Sequence, residues 1–92
     1  MIRSFACADT EALFNSRSVS RFRNIERVAR RKLLQIHAAT EIASLRIPPG
    51  NQLEMLKGNR KGQYSIRVND QFRVCFVWSD SGPAAVEIVD YH

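Results

Sequence analysis

Alternating apolar residues between Gly62 and Trp78 constrain the fold more than any other feature of this sequence. An apolar side chain recurs at every second position on both sides of a short polar stretch, which predicts two antiparallel strands. These positions are Tyr64, Ile66, Val68, Phe72, Val74, Phe76 and Trp78. A three-residue loop, Asn69-Asp70-Gln71, pairs Val68 with Phe72 and keeps all of these side chains on one face. A two-residue loop would place them on opposite faces.

The same register places Arg67 directly opposite Arg73 on the other face of the hairpin. Two like charges in a cross-strand pair oppose folding unless the side chains diverge into water or an anion lies between them. The pair therefore has two interpretations at this point. Either both arginines are solvated on an open sheet face, or they form part of a site for an anion such as phosphate.

Length and charge narrow the possible functions. Ninety-two residues are enough for a single domain, residues 1–92, but too few to enclose a deep cavity, so we expect any active site on an open surface. The net charge of +5 favours an anionic partner, and nucleic acid is the first choice. Cys7 and Cys75 lie far apart, with no CxxC motif, and predict neither a disulfide framework nor a zinc site. We expect no metal and no cofactor.

The sequence pattern also predicts no targeting signal. No apolar run approaches the roughly 20 residues needed to span a bilayer. The N-terminal stretch MIRSFACADT lacks the basic and then apolar pattern of a secretion signal. We therefore expect a cytoplasmic protein that does not contact a membrane.

Helical patterns precede the hairpin. Residues 1–5 alternate like a short edge strand, and Asp9 or Thr10 offers an N-cap for a short helix. Residues 16–23 mix serine and arginine without a clear period and predict an exposed connection. Asn24 is the expected cap of a longer helix with an apolar stripe and a basic outer face.

Further strands complete the expected fold. Residues 53–56 predict a short strand before the hairpin, and residues 84–91 predict a last strand after it. The predicted class is α+β, with N-terminal helices packed on one face of a small antiparallel sheet. The other face would carry Arg67 and Arg73, with further cations from the loop of residues 57–62 at its rim.

That face has the side-chain types needed to cleave RNA. The reaction needs a base for the 2′-OH, cations that offset the charge of the pentacoordinate phosphorane, and an acid for the leaving 5′-oxygen. The C-terminal residues Asp90, Tyr91 and His92 are candidates for proton transfer. The candidate cations are Lys57, Arg60, Lys61, Arg67 and Arg73.

Three stretches of the sequence carry a resemblance: MIRSF at the N-terminus, the core QLEMLKGNRKGQYSIRVNDQFRVCFVW, and IVDYH at the C-terminus. Together they resemble the HigB toxins of the RelE superfamily, the mRNA interferases of bacterial type II toxin–antitoxin systems. The resemblance implies a microbial RNase-like fold and metal-independent cleavage of mRNA in the ribosomal A site. It also implies a helix-turn-helix antitoxin of the HigA type, whose complex with the toxin binds operator DNA.

The resemblance assigns roles to individual residues. It implies that Arg73 stabilises the transition-state phosphate and that Lys57 holds the same phosphate or the mRNA backbone. It implies a proton-transfer role for His92, with Tyr91 stacking on or orienting the nucleotide and Asp90 assisting the histidine.

One position departs from the family pattern. Family members with a catalytic histidine in the strand before the LKG motif carry it where this chain has Glu54. A carboxylate with an ordinary pKa near 4.3 is a weaker base at neutral pH than histidine. Glu54 is therefore a candidate base of lower strength, or its role is distributed over other residues.

Two alternatives to a nuclease remain open. The first is a non-catalytic module that binds RNA or the ribosome through the basic sheet face and blocks translation by occupancy. The second is a protein-interaction domain whose basic surface binds an acidic partner.

Overall fold

A computed structural model describes residues 1–91 of the chain. It contains two α-helices and one four-stranded antiparallel sheet whose strands lie in sequence order. The helices are α1 (Ala8–Phe14) and α2 (Glu26–Ala38), and the strands are β1 (Glu54–Met55), β2 (Gln63–Arg67), β3 (Phe72–Ser79) and β4 (Gly82–Asp90). The predicted α+β class and the order of helices before strands are confirmed.

The central hairpin of β2 and β3 has the predicted register. Ile66 pairs with Val74 and Arg67 with Arg73. The Val68 amide donates to the Phe72 carbonyl at 3.0 Å, so the loop has three residues, as expected. The side-chain oxygen of Asn69 accepts hydrogen bonds from two backbone amides beyond it, those of Gln71 and Phe72, and thereby fixes the turn.

The hydrophobic core lies between the helices and one face of the sheet, which we call the apolar face. Its central side chains on β2, β3 and β4 are no more than 2% exposed: Ile66, Val74, Phe76, Val86 and Ile88. The helices contribute Leu13, Ala29, Leu33 and Ile36, which are fully buried. The core forms where the apolar side chains at alternate strand positions pack against the apolar stripe of α2, as the sequence predicts.

The N-cap of α1 differs from the prediction. The helix follows Cys7, which makes no side-chain capping bond, rather than Asp9 or Thr10. The Thr10 hydroxyl instead accepts the Ile88 amide of β4 at 3.0 Å, and the Asp9 carboxylate pairs with Arg21 at 2.9 Å. Both candidate caps are thus used in tertiary contacts.

The stretch that the sequence predicts as an exposed connection is partly buried. Ser20–Ile25 forms a 3₁₀ helix, and α2 begins at Glu26, without a side-chain cap from Asn24. Phe22 is fully buried and packs edge-on against Phe72, with ring centroids 6.0 Å apart. The prediction of an exposed connection holds for most of residues 16–23 and is wrong at Phe22, whose single aromatic side chain anchors the segment to the core.

The first residues follow the outer edge of β4 and form less of a strand than predicted. Phe5 makes one parallel bridge to Val86, and the Arg3 amide donates to the Pro83 carbonyl at 2.8 Å. Both cysteines are free thiols, as expected. In the described part of the chain, residues 1–91, we find no helix long and apolar enough to cross a membrane.

Candidate active site on the polar sheet face

The face of the sheet turned away from the helices carries polar side chains in ordered rows, and we call it the polar face. The first row runs across all four strands through Glu54, Ser65, Cys75 and Glu87. The second row contains Arg67, Arg73 and Val89. Directly paired residues share a face, so the register alone places these side chains beside one another.

Arg73 lies at the centre of this face and is only 7% exposed. Its Nε donates to the Ser65 hydroxyl at 2.7 Å, and its Nη2 donates to the Gln52 carbonyl at 2.6 Å and the Ser65 carbonyl at 3.4 Å. Hydrogen bonds from a charged donor are stronger than neutral ones. Three acceptors therefore hold the guanidinium in one orientation.

Glu54 and Tyr91 border the Arg73 guanidinium. A carboxylate oxygen of Glu54 lies 4.0 Å from Nη2, and the ring centroid of Tyr91 lies 5.8 Å from the central guanidinium carbon. Both side chains are exposed. The cluster thus combines an ordered, buried cation with a carboxylate and a phenol that solvent or a substrate can reach.

Arg67, next to the hairpin loop, has a different hydrogen-bond partner from Arg73, its cross-strand neighbour. Its guanidinium donates to the Asp70 carboxylate in the loop. The predicted pairing is confirmed, but the two arginines have different surroundings: Arg73 is buried among acceptors and Arg67 forms an ion pair at the loop. The like charges are accommodated because each guanidinium has its own acceptors.

The loop after β1 brings Arg60 over the polar face. One guanidinium nitrogen donates to Glu87 at 2.9 Å and to Gln63 at 3.1 Å. The bond to Glu87 raises the pKa of Arg60, against the lowering effect of partial burial. Arg60 therefore fixes the loop to β4, whereas Lys57 and Lys61, on either side of the Gly58–Arg60 turn, are exposed.

The C-terminal segment is attached to the hairpin loop. The Tyr91 amide donates to the Gln71 carbonyl at 2.7 Å, and the Gln71 side chain donates to the Asp90 carboxylate at 2.9 Å. A shallow cavity of about 320 Å³ is lined by Arg60, Val89, Asp90 and Tyr91. The predicted role of His92 concerns a residue outside the described range.

Two contributors to the cluster escaped the sequence analysis. Ser65 shares the face of Arg67 in the alternating pattern, and a small polar residue at that position of the polar face was the available signal. Gln52 acts through its backbone carbonyl, in a left-handed conformation with φ of 46°. Such a conformation is uncommon for a residue other than glycine, and no side-chain pattern predicts it.

The sequence of this chain matches a family of known proteins. Residues 9–92 match the family described as RelE-like toxin of type II toxin-antitoxin system HigB. Toxin HigB-1 of Vibrio cholerae is 49% identical over 69 residues, which are 75% of this chain and 72% of that protein. An uncharacterized protein of Haemophilus influenzae is 41% identical over 58 residues, 63% of this chain and 57% of its own.

Two solved structures resemble the fold. One is the YoeB-YefM complex from Staphylococcus aureus, and the other is described as the heterotetrameric complex of the YoeB-YefM toxin-antitoxin from the same organism. Each matched chain has a TM-score of 0.58 and 19% sequence identity, with 100% of this chain and 95% of that chain covered. At this identity the likeness concerns the fold alone.

Proposed function

The chain belongs to the HigB family of RelE-like toxins from type II toxin–antitoxin systems, and on that premise we propose that it is an endoribonuclease that cleaves mRNA in the ribosomal A site. Its cleavage of mRNA inhibits translation and growth in the cytoplasm. A helix-turn-helix antitoxin of the HigA type neutralises it, and their complex, rather than the toxin alone, contacts operator DNA.

The observation that carries the proposal is the fixed guanidinium of Arg73. In RNA cleavage the 2′-oxygen attacks the adjacent phosphorus while the bond to the 5′-oxygen breaks, and negative charge accumulates on the phosphorane oxygens. A cation that is already oriented stabilises this charge without reorganisation during the step. The three acceptors at Ser65 and Gln52 supply that preorganisation for Arg73.

Proton transfers are assigned to one residue beside this guanidinium, Glu54, and to the residue that follows Tyr91 in the sequence. Glu54 and His92 are the proposed acid–base groups, one taking the proton of the 2′-OH and the other protonating the departing 5′-oxygen. Tyr91 orients the nucleotide, and Asp90 supports His92. The reaction uses the substrate's own hydroxyl as nucleophile and protein cations for charge stabilisation, so we assign it no metal or cofactor.

Binding is assigned to cations around the cluster. Lys57 and Lys61 are exposed on the loop and are the proposed contacts to the mRNA backbone, with Arg67 at the far end of the hairpin. Arg60 is the fourth cation of this group, and its bond to Glu87 means that it shapes the loop as well as adding charge. Phosphate contacts of this kind weaken as salt rises.

In this proposal the ribosome orients the mRNA, which the open sheet face does not do by itself. A flexible mRNA on an exposed sheet is not held in line for attack, and carboxylates in general are weaker bases than histidine at neutral pH. Fixing the codon in the A site would orient the 2′-OH and phosphate, an effect worth up to roughly 7–11 kcal/mol in ideal intramolecular reactions. We therefore expect cleavage to depend on the ribosome.

The test compares one mRNA in two forms at equal ionic strength, free in solution and in a programmed ribosome complex. Cleavage confined to the ribosome complex and lost in Arg73→Ala protein is the expected result. Equal cleavage of both forms would contradict ribosome dependence. Cleavage of neither form, with growth inhibition retained, would favour a non-catalytic module that blocks translation by occupancy.

A further inference from the structure

A buried polar cluster lies between α2 and the loop before β1. Lys32 is 8% exposed and Asn51 is fully buried, and the lysine amine donates to the Asn51 side-chain oxygen. The Asn51 amide nitrogen donates to the Gln35 side chain at 3.0 Å and to the Leu45 carbonyl at 3.1 Å. Lysine is rarely buried without a carboxylate partner, and this amine donates instead to a neutral amide.

Burial of the Lys32 amine costs free energy, so packing alone does not explain the cluster. Burial lowers the pKa of Lys32, and the neighbouring charges of Arg31 and Arg67 lower it further. An apolar chain of similar length would fill the same space without the desolvation of an amine. What the amine adds is a hydrogen bond that orients the Asn51 amide toward its three other partners, on Gln35, Leu45 and Ile47.

Asn51 is joined directly to the residue that holds Arg73. Gln52 follows it in the chain, and the Gln52 carbonyl accepts the Arg73 Nη2 at 2.6 Å. The left-handed backbone of Gln52 turns this carbonyl toward the sheet, and such a conformation persists only where the surroundings determine it. The side-chain bonds of Asn51 fix the residue next to Gln52. They act together with two backbone bonds of the loop, from the Asn51 amide to the Pro48 carbonyl at 2.9 Å and from the Gln52 amide to the Pro49 carbonyl at 3.1 Å.

We propose that Lys32 and Asn51 are positioning residues for Arg73: by fixing the loop they hold the Gln52 carbonyl that orients the guanidinium toward the scissile phosphate. The inference rests on the proposed nuclease function for its kinetic consequence. The geometric consequence, a change in the surroundings of Arg73 when Asn51 is altered, stands independently of that function.

The kinetic test uses Asn51→Ala and Lys32→Met, with Thr10→Val as the matched control. Thr10 is equally buried, and its hydroxyl bonds the Ile88 amide on the apolar side of the sheet. We expect single-turnover cleavage of ribosome-bound mRNA to fall about 10- to 100-fold in the two cluster variants, the loss that is typical when a residue that orients the ligand of a metal site is removed. The half-saturating ribosome concentration should not change, and Thr10→Val should cleave at the wild-type rate per folded molecule.

A double variant separates positioning from a general loss of stability. If Asn51 acts through Arg73, adding Asn51→Ala to Arg73→Ala should lower the cleavage rate no further. A full additional loss in the double variant, or wild-type rates in both single variants, would overturn the inference.

A spectroscopic measurement tests the geometry without cleavage. In a ¹⁵N–¹H spectrum of arginine side chains, the Arg73 Nε–H resonance is assigned by its loss in Arg73→Lys protein. We expect Asn51→Ala to shift this resonance and quicken its exchange with water, and Thr10→Val to leave it unchanged. An unshifted resonance in folded Asn51→Ala would overturn the positioning role. If the wild-type protein cleaves no mRNA but the shift is observed, the proposed function fails and the positioning of Arg73 stands.

Discussion

The two faces of the sheet are both partly buried, but different interactions hold them. On the apolar face, strand side chains such as Val74 and Phe76 pack against α1 and α2. On the polar face, Arg73 and Ser65 are also buried, yet each is held by hydrogen bonds in which one partner is charged. Apolar packing is non-directional, whereas hydrogen bonds require particular atoms in particular places.

This difference predicts different tolerance to mutation. A change on the apolar face should act on the folding equilibrium and leave the reaction of the remaining folded molecules intact. A change on the polar face should act on the reaction more strongly than on stability. The predictions below test that separation, beginning with the largest expected effect.

The largest effect on stability is expected at Phe22, which is fully buried beside Phe72. Phe22→Ala should lower the free energy of unfolding by about 3–5 kcal/mol, because it removes a large apolar side chain and leaves a cavity. Urea denaturation measures this loss, and Ile47→Ala, at a side chain 76% exposed, is the control with little expected change. A fall in cleavage rate per folded Phe22→Ala molecule would break the separation between the faces.

The largest effect on the reaction is expected at Arg73. Arg73→Ala should lower the single-turnover rate about 10²–10³-fold, the usual loss for one preorganised electrostatic group. It should lower the free energy of unfolding by only about 1–3 kcal/mol, since it leaves the Ser65 and Gln52 acceptors without their donor. Circular dichroism checks that the variant is folded. A fully active Arg73→Ala protein would contradict the assignment of this residue to the reaction.

The apolar face could be predicted from sequence because its side chains come from apolar residues that recur at every second position. Alternation through the hairpin determines which side chains point to the core, and the loop length then determines the register that pairs Ile66 with Val74. Phe22 was missed for the opposite reason. It is one aromatic residue in a segment of serines and arginines, and a single residue has no period.

The polar face could be predicted only in part. Register was sufficient to place Arg67 opposite Arg73, but not to show that Arg73 is buried, because its acceptors include a backbone carbonyl contributed by a loop. The burial of Lys32 was missed because the helical pattern places it between the two stripes, and its acceptor Asn51 comes from a loop distant in sequence. Contacts between a side chain and a loop that is distant in sequence leave no local pattern in the sequence.

The smallest effect is expected at Arg67, although it pairs with Arg73 across the hairpin. Its ion pair with Asp70 lies at an exposed loop, and such pairs contribute little because water and salt screen them. The charge of Arg67 also opposes burial of the Lys32 amine. Arg67→Ala therefore removes this repulsion together with the attraction to Asp70. Arg67→Ala should therefore change the free energy of unfolding by less than about 0.5 kcal/mol.

The same substitution should weaken RNA binding modestly and leave the chemical step nearly unchanged. If Arg67 contacts one phosphate, its removal should reduce the slope of log affinity against log salt by about one. Asp70→Asn is the matched control, since it removes the partner and keeps the cation, and it should not weaken RNA binding. Titration of ribosome complexes at several salt concentrations, followed by single-turnover cleavage, measures both quantities. Equal losses of cleavage in Arg67→Ala and Arg73→Ala would mean that the two arginines act as one unit, and burial would then not distinguish the residue that stabilises the phosphate from the one that binds it.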